Sequence, residues 1–283
     1  MDPQPTAVSR PIQLQIADDI RMQIERGDLL PGDALPTLAD ICQRWSCSMN
    51  SARGAVSLLK AQGLITAGRG KAPRVRVPPA RVIRSSERHQ VEKDLARRPE
   101  RERSTVGEAE TNLGMSIHEQ SFSTTYDTVA ANDSLASALN LTVGDSILRR
   151  VYKSSDQQTK LLLSYSTSYI PLSLVEKNPD LLNAENEPWP GGTMHQLSTV
   201  GIEVMTVVDE VTGRMPTTVE VQAWGLTDGI PLILCRRISL DRNDRVVEIS
   251  DAEYPADRAE LRFVTPLKPW RKRSKSDSEG GAK

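Results

Sequence analysis

Apolar residues take up a helical period once the chain leaves residues 1–11, a proline-rich and polar stretch that reads as a flexible arm. Ile16, Ile20 and Ile24 recur every four positions with Asp18, Asp19, Arg21, Gln23 and Glu25 between them, and Gly27 stands where a helix-ending glycine belongs. Pro31-Gly32 marks a turn. Leu38, Ile41, Cys42 and Trp45 then share one helical face, behind Thr37 as N-cap with Asp40 three residues on in the capping-box position. A short turn at Ser46-Cys47 leads to Ser48, the N-cap of another helix whose apolar stripe is Ala52, Ala55, Val56 and Leu59 and which Gly63 closes. Residues 64–66 and 74–77 read as two strands around a glycine-rich tip, 67–73, that carries Arg69, Gly70 and Lys71.

A helix, a helix–turn–helix and a hairpin, in that order, outline a winged helix-turn-helix over residues 12–77. A helix that enters a major groove contacts bases near its N-terminus while the preceding helix crosses the backbone. Asn50, Ser51 and Arg53 lie off the apolar stripe in the first turn and a half of the later helix, where polar side chains suit that work. The helix starts at Thr37 and Ser48 offer backbone N–H groups to phosphates. Arg69 and Lys71 suit a minor groove, where the potential is strongly negative.

Each of these residues also reads alone as a cap or a solvated side chain, so charge matters. Residues 36–76 carry seven basic groups and one acidic, whereas 105–267 carry 12 basic and 23 acidic. The net charge of −1 hides a basic head on an acidic body, the arrangement of a polyanion binder whose body is kept off the polyanion. The tail, 268–283, is basic again and reads as disordered.

Ile16-Ala17-Asp18-Asp19-Ile20-Arg21, Ile24-Glu25-Arg26-Gly27, Leu30-Pro31-Gly32-Asp33, Leu35-Pro36, Ala61-Gln62-Gly63-Leu64-Ile65 and the Gly68-Arg69-Gly70 tip resemble the GntR family of bacterial transcription regulators, across residues 11–77. There are departures. The family usually opens its recognition helix with Ser-Arg, but Ser48 is followed by Met49, and the usual Ser-Glu-Arg after Leu35-Pro36 is Thr37-Leu38-Ala39. Arg53 matches a later family arginine. The resemblance therefore implies an uncommon operator, with Arg53 and the wing carrying more of the affinity.

Pro78-Pro79 opens a run of mixed charges with few apolar positions. Residues 78–104 read as a charged linker, helical in part over 81–97. Beyond it, strand-like segments fall at 118–127, 146–153, 160–170, 202–213 and 231–240, and helices at 134–141 and 217–224, the latter capped by Thr217 or Thr218. Helix, tight turn and strand follow one another around 139–148 and again around 224–234. This hints at an internal duplication within an antiparallel sheet that carries helices.

Asn132-Asp133-Ser134-Leu135-Ala136, Leu141-Thr142-Val143-Gly144-Asp145, Arg149-Arg150-Val151-Tyr152, Ser166-Thr167-Ser168-Tyr169-Ile170-Pro171 and the stretch from Val247 to Tyr254 resemble the UTRA effector domain of the HutC subfamily of GntR regulators. The resemblance implies a chorismate-lyase-like, six-stranded antiparallel sheet over residues 105–267, and homodimerisation through it. It also implies effector-binding positions. Arg150 matches a family arginine that holds anionic ligands, and Tyr152 stands where a second arginine is common. Ser166 stands where many relatives carry glutamate, and Thr193 is the hydroxyl after Gly191-Gly192. Glu248 and Tyr254 keep the six-residue spacing of a family glutamate and tyrosine. Read without the resemblance, Arg150 is equally an ion-pair partner, and Glu248 and Tyr254 are equally buried hydrogen-bonding groups.

Three scattered histidines (His89, His118, His195) and three cysteines without paired spacing (Cys42, Cys47, Cys235) predict no metal site and no cofactor, and the thiols fit a reducing cytoplasm. No run of about 18 apolar residues exists, and the first ten residues lack the charged-then-apolar order of a signal peptide, so a cytoplasmic location without a membrane partner is expected. No Ser-His-Asp arrangement, nucleophile elbow or phosphate loop is legible, and histidine poverty removes the commonest general base, so no enzyme is expected. Residues 68–73, 84–90 and 163–172 are similar to regulators of actinobacterial plasmids and integrative elements. The expectation is an α+β homodimeric repressor that binds an inverted-repeat, double-stranded DNA operator under the control of a small-molecule effector and governs plasmid transfer or maintenance genes. The alternatives are a ligand-independent DNA-binding maintenance or architectural protein and, more remotely, a chorismate-lyase-like enzyme.

Overall fold

The computed structural model describes residues 10–66, 72–103 and 120–268. Three helices build the head. Helix α1 (Ile12–Arg26) buries Ile16, Ala17 and Ile20 and ends on Gly27, whose φ of 82° lets its N–H reach the carbonyls of Gln23 and Ile24. Helix α2 (Leu38–Trp45) buries Ile41, and α3 (Met49–Ala61) buries Ala52, Ala55 and Leu59. Leu35, Ile65 and Val75 complete this core. Strands β1 (Ile65–Thr66) and β2 (Arg74–Val75) pair antiparallel with Ile65 opposite Val75. The expected wing-tip contacts at Arg69, Gly70 and Lys71 lie outside the described residues.

After the wing, β3 (Val82–Ser85) pairs in parallel with β10 (Ala259–Arg262) near the far end of the chain. Helix α4 (Arg88–Leu95) and the single turn α5 (Glu100–Arg103) follow. The charged stretch reads as a linker, helical in part over 81–97; α4 falls within that span, but Val82, Arg84 and Ser85 are buried in strand β3. Pairing with so distant a strand leaves no local periodicity to read. No residue of α4 is buried.

The body is one six-stranded antiparallel sheet in the order β4-β5-β6-β9-β8-β7. Its elements in chain order are β4 (Gln120–Ala130), α6 (Asp133–Leu139), β5 (Ser146–Asp156), β6 (Leu162–Pro171), α7 (Leu172–Val175), α8 (Gly192–Thr199), β7 (Val204–Arg214), α9 (Thr218–Ala223), β8 (Leu232–Asp241) and β9 (Val246–Pro255). Two strand–helix–strand–strand halves thus meet at the β6–β9 pair, in line with the duplication hinted at in the sequence. Asn132 caps α6, and Thr217 caps α9 in a capping box with Glu220. Helices α7 and α8 cover one sheet face around Leu148, Ile170, Val175, Leu197 and Val247, while α6 packs on the other around Ile147 and Ile249. Strand β9 is not among the five segments picked out by pattern. Glu248, Asp251 and Glu253 interrupt its apolar run, although it is central in the sheet.

Candidate functional site

The two helix starts of the head differ in charge. At α2 the Thr37 hydroxyl donates to Asp40 Oδ2 at 2.7 Å and accepts the Asp40 N–H at 3.2 Å. The Thr37 hydroxyl, together with the Thr37 N–H that donates to the same oxygen at 3.0 Å, holds the Asp40 carboxyl below its ordinary pKa, so the start of α2 already carries an anion. At α3 Ser48 Oγ accepts the Ser51 N–H at 3.2 Å, and the first turn holds no acidic residue. Asn50 and Arg53 are exposed and Ser51 is half-buried, with its hydroxyl 3.0 Å from that of Ser48. Four N–H groups at a helix start lack intrahelical partners, and at α3 they stand beside Asn50 and Arg53 without a competing carboxylate.

The second candidate site lies between the body sheet and α8. Arg150, on β5, is 1% exposed. Its Nη2 donates to Glu248 Oε1 at 2.7 Å, to Ser168 Oγ at 2.8 Å and to Thr193 Oγ1 at 3.4 Å, its Nε donates to Ser168 Oγ at 3.2 Å, and its Nη1 donates to Gln196. Gln196 is itself buried and donates from Nε2 to Glu187 Oε1 at 2.8 Å. The same Glu187 oxygen accepts from the hydroxyls of Tyr126 and Tyr152, and its other oxygen accepts the Trp189 N–H at 2.7 Å. The two tyrosine rings lie 5.9 and 5.7 Å from the guanidinium, within reach of a cation–π attraction.

Burial alone would lower the Arg150 pKa, but Tyr152, Glu248, Tyr126 and Glu187 raise it above the ordinary arginine value. Tyr126 is pushed up to about 12, chiefly by burial, with Arg150 opposing and Glu187 adding to the rise. The cluster therefore holds a permanently charged arginine between two carboxylates, with its tyrosines protonated at neutral pH.

A family model described as bacterial regulatory proteins, gntR family, matches residues 12–75, and a second, for the UTRA domain, matches residues 119–260. The chain belongs to the GntR family and carries its UTRA domain. An uncharacterised HTH-type transcriptional regulator of Streptomyces coelicolor is 27% identical over 256 residues, 86% of this chain and 88% of that protein. Another uncharacterised HTH-type transcriptional regulator, YhcF of Bacillus subtilis, is 35% identical over 63 residues, 22% of this chain and 52% of that protein. A crystal structure of a GntR-family transcriptional regulator matches 92% of this chain and 99% of its own, with 25% identity and a TM-score of 0.67. These matches place the chain among transcriptional regulators and not among enzymes.

Of the effector positions the resemblance implies for this GntR-family chain, the fold brings Arg150, Tyr152, Thr193 and Glu248 into one cluster. Ser166 and Tyr254 are not hydrogen-bonded into it: Ser166 is opposite Tyr152 in register, on the face of Ser168, and Tyr254 is 5% exposed with Arg84 stacked on its ring at 4.6 Å. Sequence reasoning missed Ser168, Gln196, Glu187 and Tyr126. Ser168 was within reach, two residues from Ser166 on one strand and so on the same face. Tyr126 faces Arg150 across the β4–β5 register and Glu187 arrives on the segment between α7 and α8, and neither position carries a local signal.

The segment between head and sheet also touches this region. Glu92 Oε1, on α4, accepts the Met194 N–H at the start of α8 at 3.1 Å. His89 Nε2 lies 3.0 Å from Asp209 Oδ2, and Arg237 donates to the other Asp209 oxygen at 2.9 Å. No described helix is long and apolar enough to cross a membrane.

Proposed function

We propose that this GntR-family regulator is a homodimeric repressor whose head reads an inverted-repeat operator and whose UTRA domain answers a small-molecule effector. Its parts would be an arm (1–11), a DNA-binding head (12–77), a linker (78–104), an effector and dimerisation domain (105–267) and a basic tail (268–283), working in the cytoplasm. The observation that carries the reading is the start of α3, where Asn50 and Arg53 are exposed beside helix N–H groups that no acidic side chain neutralises. Ser48, Ser51 and Thr37 would support contact with phosphates, and the wing residues Arg69, Gly70 and Lys71 would add a minor-groove contact.

Support for a dimer comes from the sheet face turned away from α8. Val151, Thr167 and Leu234 lie there, half-buried, among the Arg149–Asp127 and Arg236–Asp251 ion pairs. Such a charge-balanced, mixed surface is one that two copies can share about a two-fold axis, and a two-fold dimer calls for a two-fold operator. An effector that favours one dimer geometry would shift the half-site spacing and so the affinity. Arg150, Tyr152, Thr193 and Glu248 would line its site, with Ser166 and Tyr254 on neighbouring strands. The similarity to plasmid and integrative-element regulators supports transfer or maintenance genes as targets.

Genome-wide footprinting with the purified protein tests this reading. Protection of a few inverted repeats at moderate salt is expected, and equal binding to scrambled DNA would overturn it. One observation favours a second reading, ligand-independent DNA binding: Arg150 is already paired with Glu248 inside the chain. A thermal-shift screen with cell metabolites separates the two, since only the effector reading expects a stabilising compound.

A further inference from the structure

The head is seated on the body through contacts at the end of α3 remote from its reading turn. Arg76, one residue beyond β2, donates from Nε to the Gly63 carbonyl at 2.8 Å inside the head and from Nη1 to Asp257 Oδ2 at 2.7 Å in the body. The side chains of Arg76 and Asp257 are 15% and 3% exposed. Asp257 lies in the turn that follows β9, the strand of Glu248. That turn is braced by the Ala256 N–H on the Pro231 carbonyl at 3.0 Å, and by the Arg258 guanidinium, which donates to the carbonyls of Leu162 at 2.8 Å and Gly225 at 3.2 Å.

A second contact is backbone against backbone. Gly229 has a φ of +78°, and a Cβ there would stand 2.2 Å from the Ala61 carbonyl oxygen and 2.6 Å from the Gly63 nitrogen. Gly63, with a φ of +68°, is less crowded: a Cβ there would stand 2.9 Å from the Ile230 side chain and 3.1 Å from the Asp228 carbonyl oxygen. Only glycine permits so near an approach in this conformation. Lys60 and Asp228 form a half-exposed ion pair at 3.1 Å at the rim, a type that contributes little on its own. The Arg76–Asp257 pair differs, because both side chains are largely buried and Asp257 also lies 3.5 Å from Arg258 Nε, so removing Asp257 takes the carboxylate from two guanidinium groups at once.

We propose that Arg76, Asp257 and Gly229 are positioning residues for DNA recognition: they hold α3 at one fixed angle to the body, and β9 ties that angle to the Arg150–Glu248 cluster. A docked head presents one half-site geometry, whereas an undocked head swings on the segment after Pro79 and accepts several. The spacing argument rests on the dimer reading above, but the docking itself does not.

The test uses the full chain with Arg76→Met, Asp257→Asn and Gly229→Ala, the last adding a methyl group without changing any charge. Lys60→Ala is the control. Calorimetry and small-angle scattering report the docking. Duplexes selected from a random library by the wild-type protein, cut to one half-site or respaced by one base pair, report the recognition. Wild type and Lys60→Ala are expected to unfold in one transition and to bind with a sharp spacing optimum. The three variants are expected to unfold in two transitions, with a larger radius of gyration and a broadened optimum, while half-site affinity stays within about two-fold. A single transition with an unchanged radius in both Asp257→Asn and Gly229→Ala would overturn the proposal, as would a fall in half-site affinity equal to that for the full site. If wild type itself shows no spacing optimum, the dimer reading fails, and calorimetry and scattering still decide the docking.

Discussion

Arg150 and Glu248 meet at 2.7 Å although their strands, β5 and β9, are separated by β6. The strand between supplies Ser168, whose hydroxyl donates to Glu248 at 2.6 Å and accepts from Arg150. The pair thus bridges three strands beneath α8, with both side chains nearly inaccessible to solvent. A buried ion pair is weak evidence for net stability, because two desolvation penalties oppose the attraction, but breaking one is expensive.

Arg150→Met should therefore destabilise the protein by about 3–5 kcal/mol in urea unfolding, because it strands Glu248. Pairing it with Glu248→Met should recover part of that loss, so the double variant falls short of the sum of the singles. A wild-type midpoint for Arg150→Met would contradict the geometry.

Arg53 is exposed, so Arg53→Ala should leave thermal unfolding unchanged. If the side chain reads a base, the same change weakens operator binding by about 1–3 kcal/mol. Unaltered affinity in a mobility-shift titration would remove Arg53 from the reading surface.

Thr37 and Ser48 both cap helices, but only Thr37 spends its hydroxyl proton on a carboxylate. Thr37→Ala and Ser48→Ala should each cost about 1 kcal/mol of stability. Ser48→Ala should also weaken DNA binding more than Thr37→Ala does, measured at a temperature where both variants are folded, because Asp40 already occupies the start of α2. Equal losses of affinity would show that α2 contributes as much to phosphate contact as α3.

His89 makes stability depend on pH. Burial, with Arg237 and Arg88 adding to it, holds its pKa below the ordinary 6.5 against the raising pull of Asp209. Asp209 stays ionised, since His89 and Arg237 outweigh the burial that would raise its pKa. A histidine with a depressed folded pKa contributes stability that is complete above 6.5 and is lost as pH falls from there through the folded value. Between about pH 7.5 and 5.5 the wild type should thus lose more stability than His89→Gln. Parallel melting profiles for the two proteins would refute this.

The caps and the helices of the head were legible because each depends on residues within three or four positions. Thr37 with Asp40 and Ser48 with its stripe carry their partners beside them. Strand β3 was not legible, since its partner is β10 at the other end of the chain. Strand β9 was hidden by charges that only a folded sheet can neutralise. Glu248 is tolerable inside because Arg150 and Ser168 are there to meet it.

The sequence by itself determined the helix–turn–helix order, the basic head on an acidic body and the family resemblance, all of which rest on local spacing and residue type. Tertiary structure alone decided that Arg150 is already paired, that Glu187 and Gln196 join it, and that Asp257 meets Arg76 of the head. The reason is range: a cap or an apolar stripe is set within one or two helical turns, whereas a buried charge takes its partner from whichever strand the fold lays beside it.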